Sequence, residues 1–253
     1  MLGESMTILD KVDIFKRKID ELRPFQDENL LKQIRDFYRV DLTYTSNALE
    51  GNSLTVSETK ILLEDGLTAG GKPMRDSLEA LGHAAAYDYM FSLLSRTTFT
   101  VDDVFTLHKL FYSPIDAENA GVLRGKPVLI TGSEYPVTEP EKLGDTLSDL
   151  SSWMEKHQGK LHPVVYSARL HKNFVFIHPF LDGNGRVARL AMNTVLIQNG
   201  YLPAVIPPVL RHDYISALEK AHRNDTFFVE FIVARVFETE KDFMRMLSIP
   251  FPD

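Results

Sequence analysis

"HPFLDGNGRVAR", His178 to Arg189, sets one histidine, one acid, an asparagine between two glycines, and two arginines into twelve residues. It joins two apolar stretches of helical periodicity, "HPVVYSARLHKNFVFI" and "NGRVARLAMNTVLIQNG", the second ending at Gly200. Gly183 and Gly185 reach backbone angles closed to other residues. The amides from Gly183 to Arg186 therefore turn inward and outline a concavity the size of an anion. A helix starting near Asn184 aims its unpaired amides and its positive dipole end at the same point. Arg186 and Arg189, three apart, are neighbours on that helix and reach an anion held at its end. The pattern describes a phosphate site. Asp182 beside a phosphate calls for a bridging cation, and a hard, oxygen-seeking ion such as Mg²⁺ fits. His178, at the end of the preceding helix, is a side chain suited to taking a proton from an attacking hydroxyl.

Two other readings use the same letters. "GNGRVA" satisfies the G-x-G-x-x-A dinucleotide fingerprint, which needs a preceding strand and an acid about twenty residues on. Only "FVFI" reads as a strand, and no acid stands between Asp182 and Asp213. The P-loop pattern is absent. The second alternative is an ordinary tight turn with His178 and Asp182 as caps, but a helix start has no need of His, Asp and two Arg around it.

Around this cluster the chain reads as helix upon helix. Ile8, Val12, Phe15, Ile19 and Leu22 recur at helical spacing, and Leu30, Ile34 and Phe37 repeat the pattern after Pro24. Further helices are predicted from Leu78 to Leu94, and in "FTVDDVFTLHKLFY", with Thr100 as N-cap ahead of Asp103. "VTEPEKLGDTLSDLSSWMEKH" gives another, with Thr138 and Glu141 in the same roles and a proline in the first turn. "RHDYISALEKAHRN" and "TFFVEFIVARVFETEKDFMRML" complete the series. "GVLRGKPVLITGSEYPVTEP" alone looks non-helical, with β-branched residues on both sides of Thr131-Gly132-Ser133, and predicts a short hairpin. "EDGLTAGGKPMRD" reads as a loop.

Composition narrows the function. At 253 residues, 44% hydrophobic and 25% charged, the chain is long enough for a full core. A net charge of −7 without a basic block argues against nucleic acid and against an anionic membrane surface. Absence of cysteine removes disulfides and thiolate metal sites. No long apolar run or leader-like N-terminus appears, so the expectation is a cytoplasmic protein. His162 and His171 share the region with His178, but no H-E-x-x-H occurs and Asp182 is the one acid nearby, which gives a zinc hydrolase little support. His83 and His108 read as internally satisfied helix histidines.

"HPFLDGNGRVAR" resembles the signature of the Fic family, H-P-F-x-[D/E]-G-N-G-R-x-x-R, at every specified position. The likeness extends over the helical region from about Phe99 to Ile232, including "PPVL" at 207–210 with Tyr214, Ala217, Leu218 and Ala221. It implies an all-α, Fic-type helical core with a short β-hairpin flap. The domains would be 1–98, an N-terminal helical region; 99–232, the core; and 233–253, a C-terminal extension packed on it. The implied activity is transfer of AMP from ATP to a protein hydroxyl, releasing pyrophosphate, with ATP and Mg²⁺ required. Carried over by position, His178 would be the general base and Asp182 the Mg²⁺ ligand. Gly183, Asn184 and Gly185 would form the phosphate nest, Arg186 would contact the phosphates, and Arg189 would hold the γ-phosphate. Pro179 and Phe180 would shape and anchor the loop. Tyr214, Leu218 and His222 sit at positions resembling an adenine pocket, with His222 standing where relatives often have asparagine.

Upstream, "TYTSNALEGNSL" matches the family's inhibitory pattern [S/T]-x-x-x-E-[G/N] through Ser46, Glu50 and Gly51. The resemblance further implies a target protein docked on the flap at about 121–137. Self-modification and a homodimer are compatible with it, the apolar faces of "ILDKVDIF" and "FMRMLSIPF" being candidate interfaces. Other readings stay open: removal of AMP from a modified protein, transfer of another phosphate-containing group, or an ATP-binding sensor without transfer.

Overall fold

The computed structural model describes residues 6–23, 27–130 and 132–252. Pro24 and Thr131, which punctuate the sequence reading, lie outside them. Ten α-helices are formed among the described residues: α1 Ile8–Asp20, α2 Glu28–Ala48, α3 Val56–Asp65, α4 Met74–Ser92, α5 Val101–Tyr112, α6 Leu143–His157, α7 Pro163–Ile177, α8 Asn184–Gln198, α9 Arg211–Lys220 and α10 Thr226–Met246.

The sequence starts these helices with side chains that satisfy first-turn amides. Thr7 with Asp10, Thr55 with Glu58, and Thr100 with Asp103 each make a reciprocal capping box, and Asp27 accepts from Asn29 and Leu30. Such caps contribute about 1 kcal/mol apiece. The box at Thr55 opens α3, a helix that the apolar spacing does not announce. Thr138 is not the expected cap of α6. Pro140 begins a 3₁₀ turn over Pro140–Lys142, α6 starts only at Leu143, and the carbonyl of Thr138 is taken by Arg124.

Helix α8 is the centre of the molecule. Val187, Ala188, Leu190, Ala191, Met192 and Leu196 are all at most 1% exposed, so it is covered on every side. α7 lies along it, and α4 and α5 pack on it as well. On one face Phe174, Val187 and Leu190 meet Tyr87, Leu107 and Phe111, while on the other Val164, Met192 and Leu196 meet Tyr214, Phe228 and Ile232. Each fully buried aromatic contributes about 2–3 kcal/mol. α1 packs against α10, and α10 runs unbroken through positions 232 and 233. None of the helices searched is long and apolar enough to cross a membrane.

The expected β-hairpin is not formed: no strand occurs among the described residues of 121–137. Pro127 and Pro136 remove ladder donors from both arms. Two other donors point away from any ladder, Arg124 N–H to the Pro179 carbonyl and Glu134 N–H to the Glu219 carboxylate at 3.2 Å. An isolated two-stranded ladder is marginal in any case. The segment is an irregular strap laid across the end of α7 and onto α9.

Candidate functional site

Helix α7 ends at Ile177, and His178 follows it in the left-handed region at φ 52°, ψ 58°, unusual for a side chain with a Cβ. The cost is met by a set of bonds that fix this corner. Nε of the buried Arg124 donates to the His178 carbonyl at 2.8 Å, while its other nitrogens donate to the carbonyls of Lys126 and Thr138. His178 Nδ1 lies 3.3 Å from the Val175 carbonyl. A carbonyl only accepts, so Nδ1 carries the proton in that bond and Nε2 keeps a lone pair. Burial, with the Arg124 charge adding to it, holds the imidazole below its ordinary pKa against the opposing pull of the Val175 bond.

The loop between α7 and α8 is clamped from inside. Phe180 is fully buried and stacks on His108 at 3.7 Å between centroids. His108 Nδ1 accepts from Gly121 N–H at 2.8 Å and its Nε2 faces the Asp182 carbonyl at 3.0 Å, so the expected satisfied histidine also ties the strap to this loop. The Asn184 side chain turns back to the Phe180 N–H and carbonyl, at 3.0 and 2.8 Å. It shapes the loop rather than facing the cleft. Gly183 has φ 81° and sits where a Cβ would strike the Phe111 ring. α8 then opens at Asn184 without a side-chain cap among the described residues, its N-cap position being Gly183.

Both arginines of α8 are engaged. Arg189 is buried, with Nε on Ser46 Oγ at 2.9 Å, Nη1 on the Tyr214 hydroxyl at 3.2 Å, and Nη2 on both the Ser46 carbonyl and Glu50 Oε1, at 2.9 and 2.7 Å. Glu50 follows the end of α2 and keeps 37% of its side chain open to the cleft. Burial pushes its carboxyl upward, but Arg189, helped by Arg186, outweighs this and leaves the pKa below the ordinary value. A Cβ on Gly185 would meet Glu50 Oε1 directly, so the carboxylate stands over the first turn of α8. Gly51 makes the turn after Glu50 with φ 94° and does not line the cleft.

Arg186 pairs with Glu79 of α4 at 3.0 Å and with Asp182 at 3.3 Å, stacks over Phe111, and keeps a buried Nε without a partner. Asp182 is 40% exposed at the mouth of the loop. A hard, part-exposed carboxylate beside an anion nest is a donor Mg²⁺ uses when substrate phosphates supply its other ligands. Among the described residues no group of three or more His, Asp or Glu could hold a metal by itself.

One cavity of ≈ 290 Å³ is lined by His178, Gly185 and Glu50, while Asp182, Arg186 and Arg189 do not line it. Tyr214, Leu218 and His222 line it too, as do Ile130, Gly132, Ser133, Tyr135, Pro136 and Val137 of the strap. The three residues expected on α9 and just beyond it thus share one cavity. His222 is sandwiched between Phe176 at 3.7 Å and Tyr135 of the strap at 3.9 Å, nearly parallel to both, and Arg223 donates to the Tyr135 hydroxyl. Sequence reasoning missed Arg124, Glu79, Phe176 and Tyr135. Arg124 is one arginine in a loop, and Glu79 reads as an i, i+4 surface partner of Arg75. Only the fold brings them in.

Comparison with known proteins agrees with this geometry. Residues 98–196 match the Fic/DOC family. The chain is similar to a protein named protein adenylyltransferase Fic from Nematostella vectensis, 34% identical over 93% of this chain and 55% of that protein. A protein of the same name from Drosophila yakuba is 36% identical over 75% of this chain and 38% of its own length. The chain thus spans only about half, or less, of these relatives. Among solved structures, Fic-1 from C. elegans superposes with a TM-score of 0.84 at 28% identity, over 95% of this chain and 72% of that one. A Fic domain containing signaling protein from Bacteroides thetaiotaomicron gives 0.81 at 27% identity, over 91% and 95%.

Proposed function

We propose that this chain, whose residues 98–196 match the Fic/DOC family, is a member of it and a protein adenylyltransferase restrained by its own Glu50. The observation that carries this reading is a single cleft that brings together Gly185 of the first turn of α8 and a neutral histidine whose Nε2 makes no hydrogen bond among the described residues. The target hydroxyl oxygen would attack the α-phosphorus of ATP as His178 Nε2 takes its proton. The bond to the β-phosphate breaks and pyrophosphate leaves. Most of the work is positioning and charge neutralisation.

Backbone amides from Gly183 to Arg186 would receive the phosphates, with Arg186 and Arg189 on their outer oxygens. Asp182 would hold Mg²⁺, which neutralises phosphate charge when bound. Tyr214, Leu218 and His222 would wall the adenine. The strap at 121–137 would present its backbone to an extended segment of the target protein or of a second copy of this chain. This reading divides the chain as the family resemblance does, at 98/99 and 232/233, and places the protein in the cytoplasm.

Restraint follows from the Glu50–Arg189 pair at 2.7 Å. An arginine committed to a carboxylate is withheld from the γ-phosphate, so ATP would bind with its α-phosphorus turned from the hydroxyl. A second reading, removal of AMP from a modified protein, draws on the open part of the Glu50 carboxylate, which would orient a water. Incubation with α-labelled and, separately, γ-labelled ATP tests the proposal. Protein-linked label from the α position alone is expected; label from γ alone, or none in a Glu50→Gly variant that still binds ATP, would overturn it.

A further inference from the structure

Asp182, the residue read above as the Mg²⁺ ligand, already has a cation on it. Arg75, the second residue of α4, places Nη2 2.6 Å from Asp182 Oδ2. The other oxygen, Oδ1, accepts from Gly183 N–H at 2.6 Å and faces Arg186 at 3.3 Å. Both oxygens are therefore in use, and of these partners Arg75 is the exposed one: 54% of its side chain is open, against 4% for Arg186.

Arg75 is also held in place. Its Nε donates to Glu79 Oε1 at 3.0 Å, and the Asn52 amide fixes the other Glu79 oxygen at 3.0 Å. A planar guanidinium gripped at Nε presents its remaining nitrogens in a defined direction, here toward Asp182. Around the nest three arginines, 75, 186 and 189, face three carboxylates, Glu79, Asp182 and Glu50. The set is electrically closed. A divalent ion on Asp182 Oδ2 would meet the Arg75 guanidinium at the same oxygen, and like charges at that spacing repel.

We propose that Arg75 is a tethered counter-cation that competes with the divalent ion for Asp182 and so raises the metal concentration needed to load the site. The inference rests on the reading that Asp182 holds that ion. Displacement leaves Arg75 paired with Glu79, so the loss is one exposed ion pair rather than a stranded buried charge. Together with Glu50, which occupies Arg189, this gives the N-terminal helices a hold on both the metal side and the phosphate side of the nest.

The test is a binding measurement. Retention of labelled ATP by the full chain is followed by equilibrium dialysis as Mg²⁺ is varied, in a His178→Ala background so that nothing is transferred. Arg75→Gln should lower the Mg²⁺ midpoint by about 3- to 5-fold, the scale of one exposed ion pair, while Arg75→Lys, which keeps the charge, should stay nearer the parent. An unchanged or higher midpoint overturns the proposal. So does weaker ATP retention by Arg75→Gln at saturating Mg²⁺, which would make Arg75 a phosphate ligand instead. Asp182→Asn separates the two layers: if it leaves the Mg²⁺ dependence intact, the assignment of Asp182 itself fails. If it abolishes the dependence and Arg75→Gln does nothing, only the competition fails. Thermal melts of the half-exposed Arg75 variants check that folding is unchanged.

Discussion

The two sides of the cleft are prepared in opposite ways. On the catalytic side His178 is fixed by Arg124 and Val175, and its Nε2 makes no hydrogen bond among the described residues. On the phosphate side the arginines are equally well fixed, but by Glu50, Glu79 and Ser46. The first side is built and ready, the second built and occupied. The difference teaches where control acts: removing a group from the ready side should lower the rate, and removing Glu50 from the occupied side should raise it.

The strongest way to break this contrast is His178→Ala. Loss of a positioned general base costs about 10²–10⁴-fold in rate, while ATP affinity should change by no more than a few-fold, since nothing that would grip the phosphates is touched. Comparable labelling by the mutant and its parent, both in a Glu50→Gly background, would take His178 out of the mechanism.

Arg124 should come next. Arg124→Lys keeps the charge and loses the fork that binds the carbonyls of His178, Lys126 and Thr138. A displaced His178 corner should lower kcat roughly 10- to 100-fold with little change in the KM for ATP. A change confined to KM would mean that the strap, not the histidine, depends on this arginine.

A carboxylate elsewhere sharpens the comparison. Glu240 of α10 is fully buried with neither oxygen partnered among the described residues, and burial, reinforced by Asp13, pushes its pKa up to about 9. Its folded pKa is raised, so the native state keeps a proton that the unfolded chain loses above about 4.5, and stability falls as pH rises from there toward about 9. Glu240→Gln should therefore stabilise the protein at pH 7 by roughly 1–3 kcal/mol and flatten this part of the pH dependence, read by denaturant melts. Glu50 is the contrasting case, held charged by Arg189.

The smallest effect is on the pH–rate profile. His178 acts as a base only when neutral, and its pKa is lowered. Rate is lost as pH falls through that value, so the acid limb of the Glu50→Gly variant should lie below 6.5, the ordinary histidine value. A midpoint at or above 6.5 would mean that the titrating base is not this histidine. Glu50, its own pKa lowered, stays charged throughout this range, and because its charge helps hold the His178 pKa up, the acid limb of wild type should lie above that of Glu50→Gly.

Much of this was legible in the chain. The run from His178 to Arg189 encodes a helix end, two permissive glycines and a helix start within adjacent residues, so local rules suffice to read it. Ser46 and Glu50 were legible only as a pattern. Their contact with Arg189 spans about 140 positions, which periodicity does not report. The strap was misread because β-branched spacing suggested a ladder, while Pro127, Pro136 and partners on α9 sent its donors elsewhere. Arg75, Arg124 and Glu79 carry no local signal, since a charged residue on a helix or loop ordinarily faces water.

The central claim is that Glu50 withholds Arg189 from ATP. Protein-linked label from α-labelled ATP with Mg²⁺ tests it on wild type, Glu50→Gly, and Glu50→Gly with Arg189→Ala, at matched concentration and oligomeric state and beside thermal melts. The account predicts weak labelling by wild type, a clear gain in Glu50→Gly, and loss of that gain in the double mutant. Unchanged or lower labelling by a well-folded Glu50→Gly protein would contradict it.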